Sequence, residues 1–395
     1  MKVFELSKDG AQKATKGTKE LYLKDLAESI KSCVPGEWVY LKNSRKANYY
    51  LAFVNPLAIN APVAHILKES EILSEIDKDI LFQLIELSVN KRAFFKGYRD
   101  CSRLVYGSAD SLPGLIVDSY SNAILIQINT AGIDRFRDEI KKFFEIKSPN
   151  KKILLLDNEK YRERENLPVF EKETLQTDLE LVENELQFRI SSDTVQKVGY
   201  YYDHRENRRR SGQLIQLMDK NYKKGLDLFS YVGSWGMHFL QAGLENVEFV
   251  DQGNMEENVL TNLKLNGFES QGSFVRNNVF DFIKRVKKEG RKYDLICSDP
   301  PAFCKSRKEE RKAYEGYLKL HKSIFELLDR DSLFIACSCT FYVDLDSFQK
   351  NIEEAAFAKN RKIQLLDCGV QAFDHPITNL SNKSTYLKYF AYKVE

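Results

Sequence analysis

Long hydrophobic runs are missing from this chain. Its longest uninterrupted apolar stretches, such as residues 333–337, are strand length, far short of the ~18 residues needed to cross a bilayer. That excludes a membrane-spanning protein. The first twenty residues carry a charge every few positions and have no apolar core of the kind a secretory signal needs, so the expected compartment is the cytoplasm. The seven cysteines include no C-x-x-C and no Cys/His ligand spacing. A disulfide scaffold and a zinc site are both disfavoured, and no metal is expected. Charge of one sign is also lacking: 60 basic residues against 57 acidic ones leave +3, so any nucleic-acid footprint has to be local. No fixed-period repeat or low-complexity tract is visible.

What is present is a globular composition, with 43% hydrophobic and 30% charged residues and a mean hydropathy of −0.44 over 395 residues. That length exceeds one hydrophobic core and suggests two or three domains. Residues 1–72 read as a small β domain, with aromatic and β-branched runs at 37–41 and 48–54 set off by Pro35-Gly36 and Asn55-Pro56. Residues 73–190 read as an α+β middle domain. A joining helix is expected over 71–90 from the spacing of Ile72, Leu73, Ile76, Ile80, Leu81, Leu84 and Ile85, then a hairpin around 107–114 and a helix over 133–144. From about 191 to 395, strands and helices alternate regularly, the signature of a doubly wound α/β domain whose ligands bind beyond the carboxyl ends of its strands.

Four features follow successive strands of that last domain. The first is the turn Phe229-Ser230-Tyr231-Val232-Gly233, where glycine lets the backbone approach a ligand. It is not a P-loop, because no Gly-Lys-Ser/Thr follows. The second is Asp251, some twenty residues on, at the position of an acid that accepts from both ribose hydroxyls. Together they suggest an adenosine-containing cofactor. The third is Asp299-Pro300-Pro301-Ala302-Phe303, where two prolines fix the turn and leave a carboxylate facing a flat polar substrate, or simply stop the strand. The fourth is Ser338-Cys339-Thr340, just past a buried strand, in contrast to Cys337 within its apolar run.

These motifs, with residues 197–208 (Lys-Val-Gly-Tyr-Tyr-Tyr-Asp-His-Arg-Glu-Asn-Arg), Asp374-His375-Pro376 and the turn at 110–118, resemble the motif series of bacterial class I S-adenosylmethionine-dependent RNA methyltransferases. More narrowly they are similar to the large-subunit ribosomal RNA cytosine carbon-5 methyltransferases that begin with a PUA domain. The match runs from about residue 100 to the C-terminus. Over the first seventy residues it rests on size, strand content and Pro35-Gly36-Glu37.

The resemblance implies a Rossmann-like class I methyltransferase domain using S-adenosylmethionine, with Cys339 as the nucleophile that adds to cytosine carbon 6 and Asp299 holding the flipped base. It implies cofactor contacts from Tyr200, Arg205, Phe229, Ser230, Tyr231, Gly233, Asp251, Asn277, Asn278 and Asp299, with Gly199 in the same closing motif. Substrate contacts would come from Pro300, Pro301, Phe303, Lys305, Arg307 and His375. Two departures stand out: Asn277-Asn278 where the family usually has an Asp pair, and Gly233-Ser234 where a double glycine is common.

Ribosomal RNA as partner needs cations. Residues 284–292 hold six basic residues against one acidic, residues 305–312 five against two, and Arg205, Arg208, Arg209 and Arg210 crowd one helix start. The first run reads as a solvated face and the second, beside Asp299, as a phosphate contact. In the N-terminal segment Trp38, Tyr40, Tyr49 and Tyr50 with Lys42, Arg45 and Lys46 are candidates for base stacking and phosphate contact, the first two also fitting a core role. Cys304 is a candidate for assisting product release. Two rival readings stay open, an exocyclic-nitrogen base methyltransferase and a non-catalytic RNA-binding or ribosome-assembly factor. A homodimer also stays open.

Overall fold

The computed structural model describes residues 2–73, 78–171, 173–195, 199–304, 306–378 and 385–395. The chain forms two compact units: residues 1–181 with 192–199 and 374–376, and residues 182–191, 200–373 and 377–395. No helix of the described residues is long and apolar enough to cross a membrane.

The first unit opens with β1 (Val3–Glu5), α1 (Lys8–Thr15), β2 (Glu20–Leu21), β3 (Glu37–Asn43), β4 (Asn48–Val54) and β5 (Ala64–Ser70), whose strands pair in the order β1-β3-β4-β5-β2. Helix α2 (Asp79–Ala93) follows, later than the apolar spacing suggests. Ile72 and Leu73 lie before it and are exposed, and Ile76 falls outside the described residues. A second sheet pairs β6 (Ser102–Tyr106), β7 (Leu115–Ser119), β8 (Ala123–Ile128) and β9 (Lys152–Leu155) in that order. Between β8 and β9 the expected single helix is divided into α3 (Ala131–Asp134) and α4 (Arg137–Lys147), and α5 (Glu159–Arg164) follows β9.

The two sheets share one core, in which Tyr40, Leu51 and Phe53 pack with Leu81, Val117 and Ile126. The approach is so close that a Cβ on Gly132 would sit 2.0 Å from the Phe53 ring. This packing corrects the stacking role considered for the N-terminal aromatics. Tyr40 and Tyr50 are buried. Trp38 donates its indole N–H to the Gly132 carbonyl at 3.4 Å, edge-on to Phe136, and Tyr49 packs half-buried on the same core. Lys42, Arg45 and Lys46 are exposed around the β3–β4 turn.

Asp374 and His375 also belong to this unit. Arg92 holds Asp110 through two bonds of 2.8 and 2.6 Å and donates to the Asp374 carbonyl at 2.8 Å. The Asp374 carboxylate accepts from the Arg103 backbone at 3.0 Å, and the buried His375 ring lies between Asp374 and Tyr106. Hairpin β10 (Leu179–Glu183) and β11 (Leu186–Ile190) spans the division between units, and α6 (Ser192–Val195) returns to the first.

The second unit contains α7 (Arg205–Leu217), β12 (Lys224–Leu228), α8 (Ser234–Gln241), β13 (Asn246–Asp251), α9 (Glu256–Leu265), β14 (Gly272–Arg276), α10 (Val279–Lys288), β15 (Tyr293–Ser298), α11 (Glu310–Phe325), β16 (Leu328–Ser338), α12 (Leu345–Phe357), β17 (Ile363–Gly369) and β18 (Lys388–Val394). The sheet order is β14-β13-β12-β15-β16-β18-β17, parallel except for β18, which runs against both neighbours. The inner strands read as near-continuous apolar runs because helices cover both faces. From β12 the chain builds outward to β14, then returns to place β15 on the other side of β12. The crevice at that reversal is where doubly wound sheets bind ligands. Outside the sheet, Asn258, Asn262 and Asn266 recur one turn apart on α9. Their side-chain oxygens accept from the backbone of Ser191, Arg189 and Gln187, occupying the otherwise unpaired edge of β11.

Candidate functional site

Beyond the end of β12 the backbone enters the left-handed region three times, at Phe229 (φ 61°), Tyr231 (φ 49°) and Gly233 (φ 85°). Left-handed conformation at two bulky aromatics costs of order 1–3 kcal/mol each and needs outside support. Asp251, at the end of β13, provides it. Its Oδ2 accepts the Tyr231 N–H at 3.0 Å and its Oδ1 the Gly253 N–H at 2.7 Å. Each oxygen keeps a lone pair, so the same carboxylate can receive two ribose hydroxyls. Nearby, the buried Ser230 hydroxyl has no partner, and Gly236 lets α8 press onto Phe249, since a Cβ there would sit 2.2 Å from the ring. Asp227 is fully buried and accepts the Gly236 N–H at 2.9 Å, while burial pushes its carboxyl up to about 8.

A strained loop with an orphaned hydroxyl and a half-used carboxylate fits an adenosine-linked cofactor. Asn277 is half-buried, its N–H on the Asp251 carbonyl at 3.0 Å. Asn278 is exposed and caps α10 by accepting the Phe280 N–H at 3.0 Å.

The ends of β15 and β16 carry Asp299 and Cys339. Asp299 Oδ2 accepts the Trp235 indole N–H at 3.1 Å, and its Oδ1 lies 3.5 Å from His204 Nε2. The Asn207 amide donates to His204 Nδ1 at 3.2 Å and to the Val370 carbonyl at 3.0 Å. Nδ1 is thus an acceptor, which leaves an N–H on Nε2, toward Asp299. Burial would raise the Asp299 carboxyl, but His204, the Trp235 N–H and Arg208 outweigh it and hold the group below its ordinary value. His204, Asp299 and Cys337 bring potential ligand atoms within 4.8 Å of one another, although His204 and Asp299 already face each other as partners.

Cys339 follows β16 and is half-buried, whereas Cys337 and Cys304 are buried in the core, Cys304 accordingly placed for packing rather than release. Burial, then the charges of Asp299 and Asp203, push the Cys339 thiol up to about 12. The nearby buried Lys388 opposes them. Its ammonium donates to the carbonyls of Thr340 at 2.6 Å and Tyr386 at 2.8 Å, and burial brings it down to about 8. Among the described residues it forms no ion pair. Asp203 accepts the Tyr386 hydroxyl at 2.6 Å on Oδ2, while its Oδ1 is buried without a partner.

A second polar cluster gathers the remaining motif residues. Arg208 donates to both oxygens of Glu183, at 2.6 and 2.9 Å, and neither side chain is accessible. Arg205 joins at 3.5 Å, and Tyr200 lies buried beneath Arg208. His238 donates Nδ1–H to the Ser234 carbonyl at 2.7 Å and receives the Asn184 amide at 3.0 Å, with burial lowering it to about 4. The four arginines at the start of α7 are thus all paired with acids, Arg205 and Arg208 in the interior, and Arg209 with Glu206 and Arg210 with Asp367 nearer the surface, which leaves less of this cation cluster for RNA. Gly199 is counted with the first unit and Tyr200 with the second.

Pro300 is buried and Pro301 exposed. Phe303 stacks on Tyr317 at 4.4 Å and donates its N–H to Thr340 Oγ1 at 3.1 Å, so it braces the turn after β15 against that after β16. Arg307 is exposed, and Lys305 lies outside the described residues, as do Lys197 and Val198. In the run 284–292, Lys287 pairs with Glu326 at 2.6 Å and Arg291 with Glu248 at 2.5 Å. The sequence reading missed His204, Trp235, Asp203 and Lys388. The first three lie inside quoted motifs, but Lys388 carries no local signal.

Comparison with known proteins supplies the family. Residues 146–359, more than half of the chain, match the family described as S-adenosylmethionine-dependent methyltransferase. A relative from Aeromonas salmonicida, named ribosomal RNA large subunit methyltransferase I, is 30% identical over 304 residues, covering 75% of this chain and 74% of that protein. Two solved structures align over 100% of both chains at 21% identity and a TM-score of 0.77, one described as a SAM-dependent methyltransferase from Streptococcus mutans and one as a methyltransferase complexed with SAH. At that identity they carry the fold alone. The cofactor is S-adenosylmethionine, and the chain belongs to the S-adenosylmethionine-dependent methyltransferase family.

Proposed function

We propose that this enzyme methylates carbon 5 of a cytosine in large-subunit ribosomal RNA through a covalent adduct with Cys339. The observation that carries this reading is the pairing of a half-buried thiol and an ionised carboxylate at the ends of two adjacent parallel strands, Cys339 after β16 and Asp299 after β15. Methylation of an exocyclic amine needs the carboxylate and the prolines but no thiol. Carbon 5 of cytosine is a poor nucleophile, and sulfur addition at carbon 6 makes it an enamine-like one.

With the thiol neutral at rest, its proton needs an acceptor at the moment of addition. Asp299 is suited to it. The carboxylate accepts the thiol proton and passes it to ring nitrogen 3, while Trp235 and His204 keep it oriented. Lys388, bonded to the carbonyl of Thr340, the residue after Cys339, stabilises developing negative charge on sulfur. S-adenosylmethionine, when bound, supplies an electrophilic methyl group. Asp251, Ser230 and the left-handed turn would hold its ribose and methionine portions, and half-buried Asn277 would face the adenine amine. The target base has to be unpaired or flipped, at a cost of a few kcal/mol. Exposed Lys42, Arg45, Lys46 and Arg307 are the phosphate contacts we assign to offset it, the first three on a PUA-like N-terminal domain spanning 1–72, ahead of a middle segment to 190. The reading places the protein in the cytoplasm with its RNA.

The test is to incubate the protein with ribosomal RNA lacking the modification, and with large subunits, and to locate the new methyl group by mass spectrometry. A methyl group on an exocyclic nitrogen, or none on either substrate, would overturn the reading.

A further inference from the structure

After methyl transfer, carbon 5 bears both the new methyl group and its original hydrogen, and the product stays bonded to sulfur until that hydrogen leaves as a proton. A base gripped between a thiol on one face and a methyl donor on the other keeps this hydrogen on the sulfur side. The acceptor therefore has to sit near Cys339 and own a free lone pair. Asp299 is already assigned the proton that moves between sulfur and ring nitrogen 3, and each of its oxygens faces a donor, the Trp235 indole or His204. Lys388 is a donor tied to two carbonyls.

Asp203 meets the requirement. Its side chain is more than nine-tenths buried, at 9% exposure, and Oδ1 has no hydrogen-bond partner. Oδ2 is fixed by the Tyr386 hydroxyl at 2.6 Å, and the backbone carbonyl of Asp203 accepts the Ala372 N–H at 2.8 Å, so side chain and backbone are each held. The residue whose carbonyl accepts from Lys388 is that same Tyr386, and the Asp203 charge reaches the Cys339 sulfur. A buried carboxylate oxygen left unbonded costs free energy that folding alone does not recover, the usual mark of a group kept for chemistry.

Resting on the carbon-5 reading above, we infer that Asp203 is a catalytic residue, the base whose Oδ1 removes the carbon-5 proton and so releases the methylated RNA. In that step the C5–H electron pair forms the C5=C6 double bond, the C6–S bond breaks with its pair going to Cys339, the carbon-5 proton rests on Asp203, and the proton on ring nitrogen 3 returns through Asp299 to the sulfur. No other reactant is needed.

The experiment uses the full chain with large-subunit ribosomal RNA transcribed with [5-³H]cytidine. Wild-type protein should release tritium to water in step with methyl incorporation. Asp203→Asn should bind S-adenosylmethionine normally and transfer the methyl group once, then accumulate a denaturant-resistant protein–RNA adduct, with tritium release slowed about 10²-fold. Release at the wild-type rate, or loss of methyl transfer itself with cofactor binding intact, would overturn the assignment. Should that variant not fold, Tyr386→Phe removes the hydroxyl that fixes the carboxylate and should slow tritium release while leaving S-adenosylmethionine binding and the first methyl transfer at wild-type level. Tritium release at the wild-type rate overturns it equally. Transcripts containing 5-fluorocytidine separate this from the parent reading. Failure of wild-type protein to form any adduct with them sinks the carbon-5 mechanism itself, whereas adduct formation with unimpaired Asp203→Asn release sinks only the role of Asp203.

Discussion

Two buried polar clusters in the second unit have opposite character. Around Glu183 the carboxylate is fully engaged: Arg208 is bidentate, Arg205 adds a second cation, and His238 is neutral with both ring nitrogens occupied. Around Cys339 the balance is left open. Among the described residues, Asp203 Oδ1, Asp227 Oδ1 and Ser230 Oγ are buried without partners, and Lys388 has only carbonyls to hold. The first cluster anchors hairpin residues 182–191 and α7 to the sheet. The second has lone pairs and a reactive thiol that only a ligand can satisfy, so it gives up stability to be ready for one.

The largest expected effect breaks the open cluster at its nucleophile. Cys339→Ala should abolish turnover in a methyl-incorporation assay while leaving S-adenosylmethionine affinity and melting temperature close to wild type, whereas Cys337→Ala should change mainly stability. Near-normal methylation by Cys339→Ala would refute the covalent mechanism.

Next comes the closed cluster. Arg208→Met strands the Glu183 carboxylate in the interior and should cost about 3–5 kcal/mol of unfolding free energy by chemical denaturation. Adding Glu183→Leu should recover part of that loss. If the double variant is as unstable as the single one, the stranded charge is not the cause.

A smaller effect is expected at Asp251. Its replacement by alanine removes the paired ribose acceptor and the tether of the Tyr231 turn, and should weaken S-adenosylmethionine binding by roughly 1–3 kcal/mol in calorimetric titration. An unchanged dissociation constant would move the ribose site elsewhere.

The smallest is a pH effect at Lys388. Burial holds this ammonium at about 8 in the folded protein, against about 10.4 in an unfolded chain. Between those values the unfolded chain binds a proton that the native protein does not, so the contribution of Lys388 to stability rises with pH through that window and is lowest below it. Wild-type stability should therefore gain on that of Lys388→Met from about pH 8 to pH 10 in thermal melts. Parallel curves would mean that Lys388 is not desolvated.

Much of the second unit was legible because local pattern and tertiary need agree there. The alternation of strands and helices expected from about residue 191 is the one observed from β12 through β16. The joining helix was misplaced at its start because apolar spacing continues through Ile72 and Leu73, which the fold leaves exposed. The arginines of α7 read as surface because a charged cluster at a helix start ordinarily is one, and their acidic partners, Glu183 and Asp367, lie on strands far away in sequence.

The sequence by itself determined the alternation that yields a doubly wound sheet, the glycine turn after β12 and the ordered motifs that put Asp251, Asp299 and Cys339 just past strand ends, since each rests on local periodicity or turn chemistry. Only the tertiary structure decided which charges are spent on each other and which are kept. Whether Arg208 faces phosphate or Glu183, whether Tyr40 stacks on a base or fills a core, and whether Lys388 reaches the thiol all depend on what a distant segment brings within about 3–4 Å, the range over which hydrogen bonds and packing act.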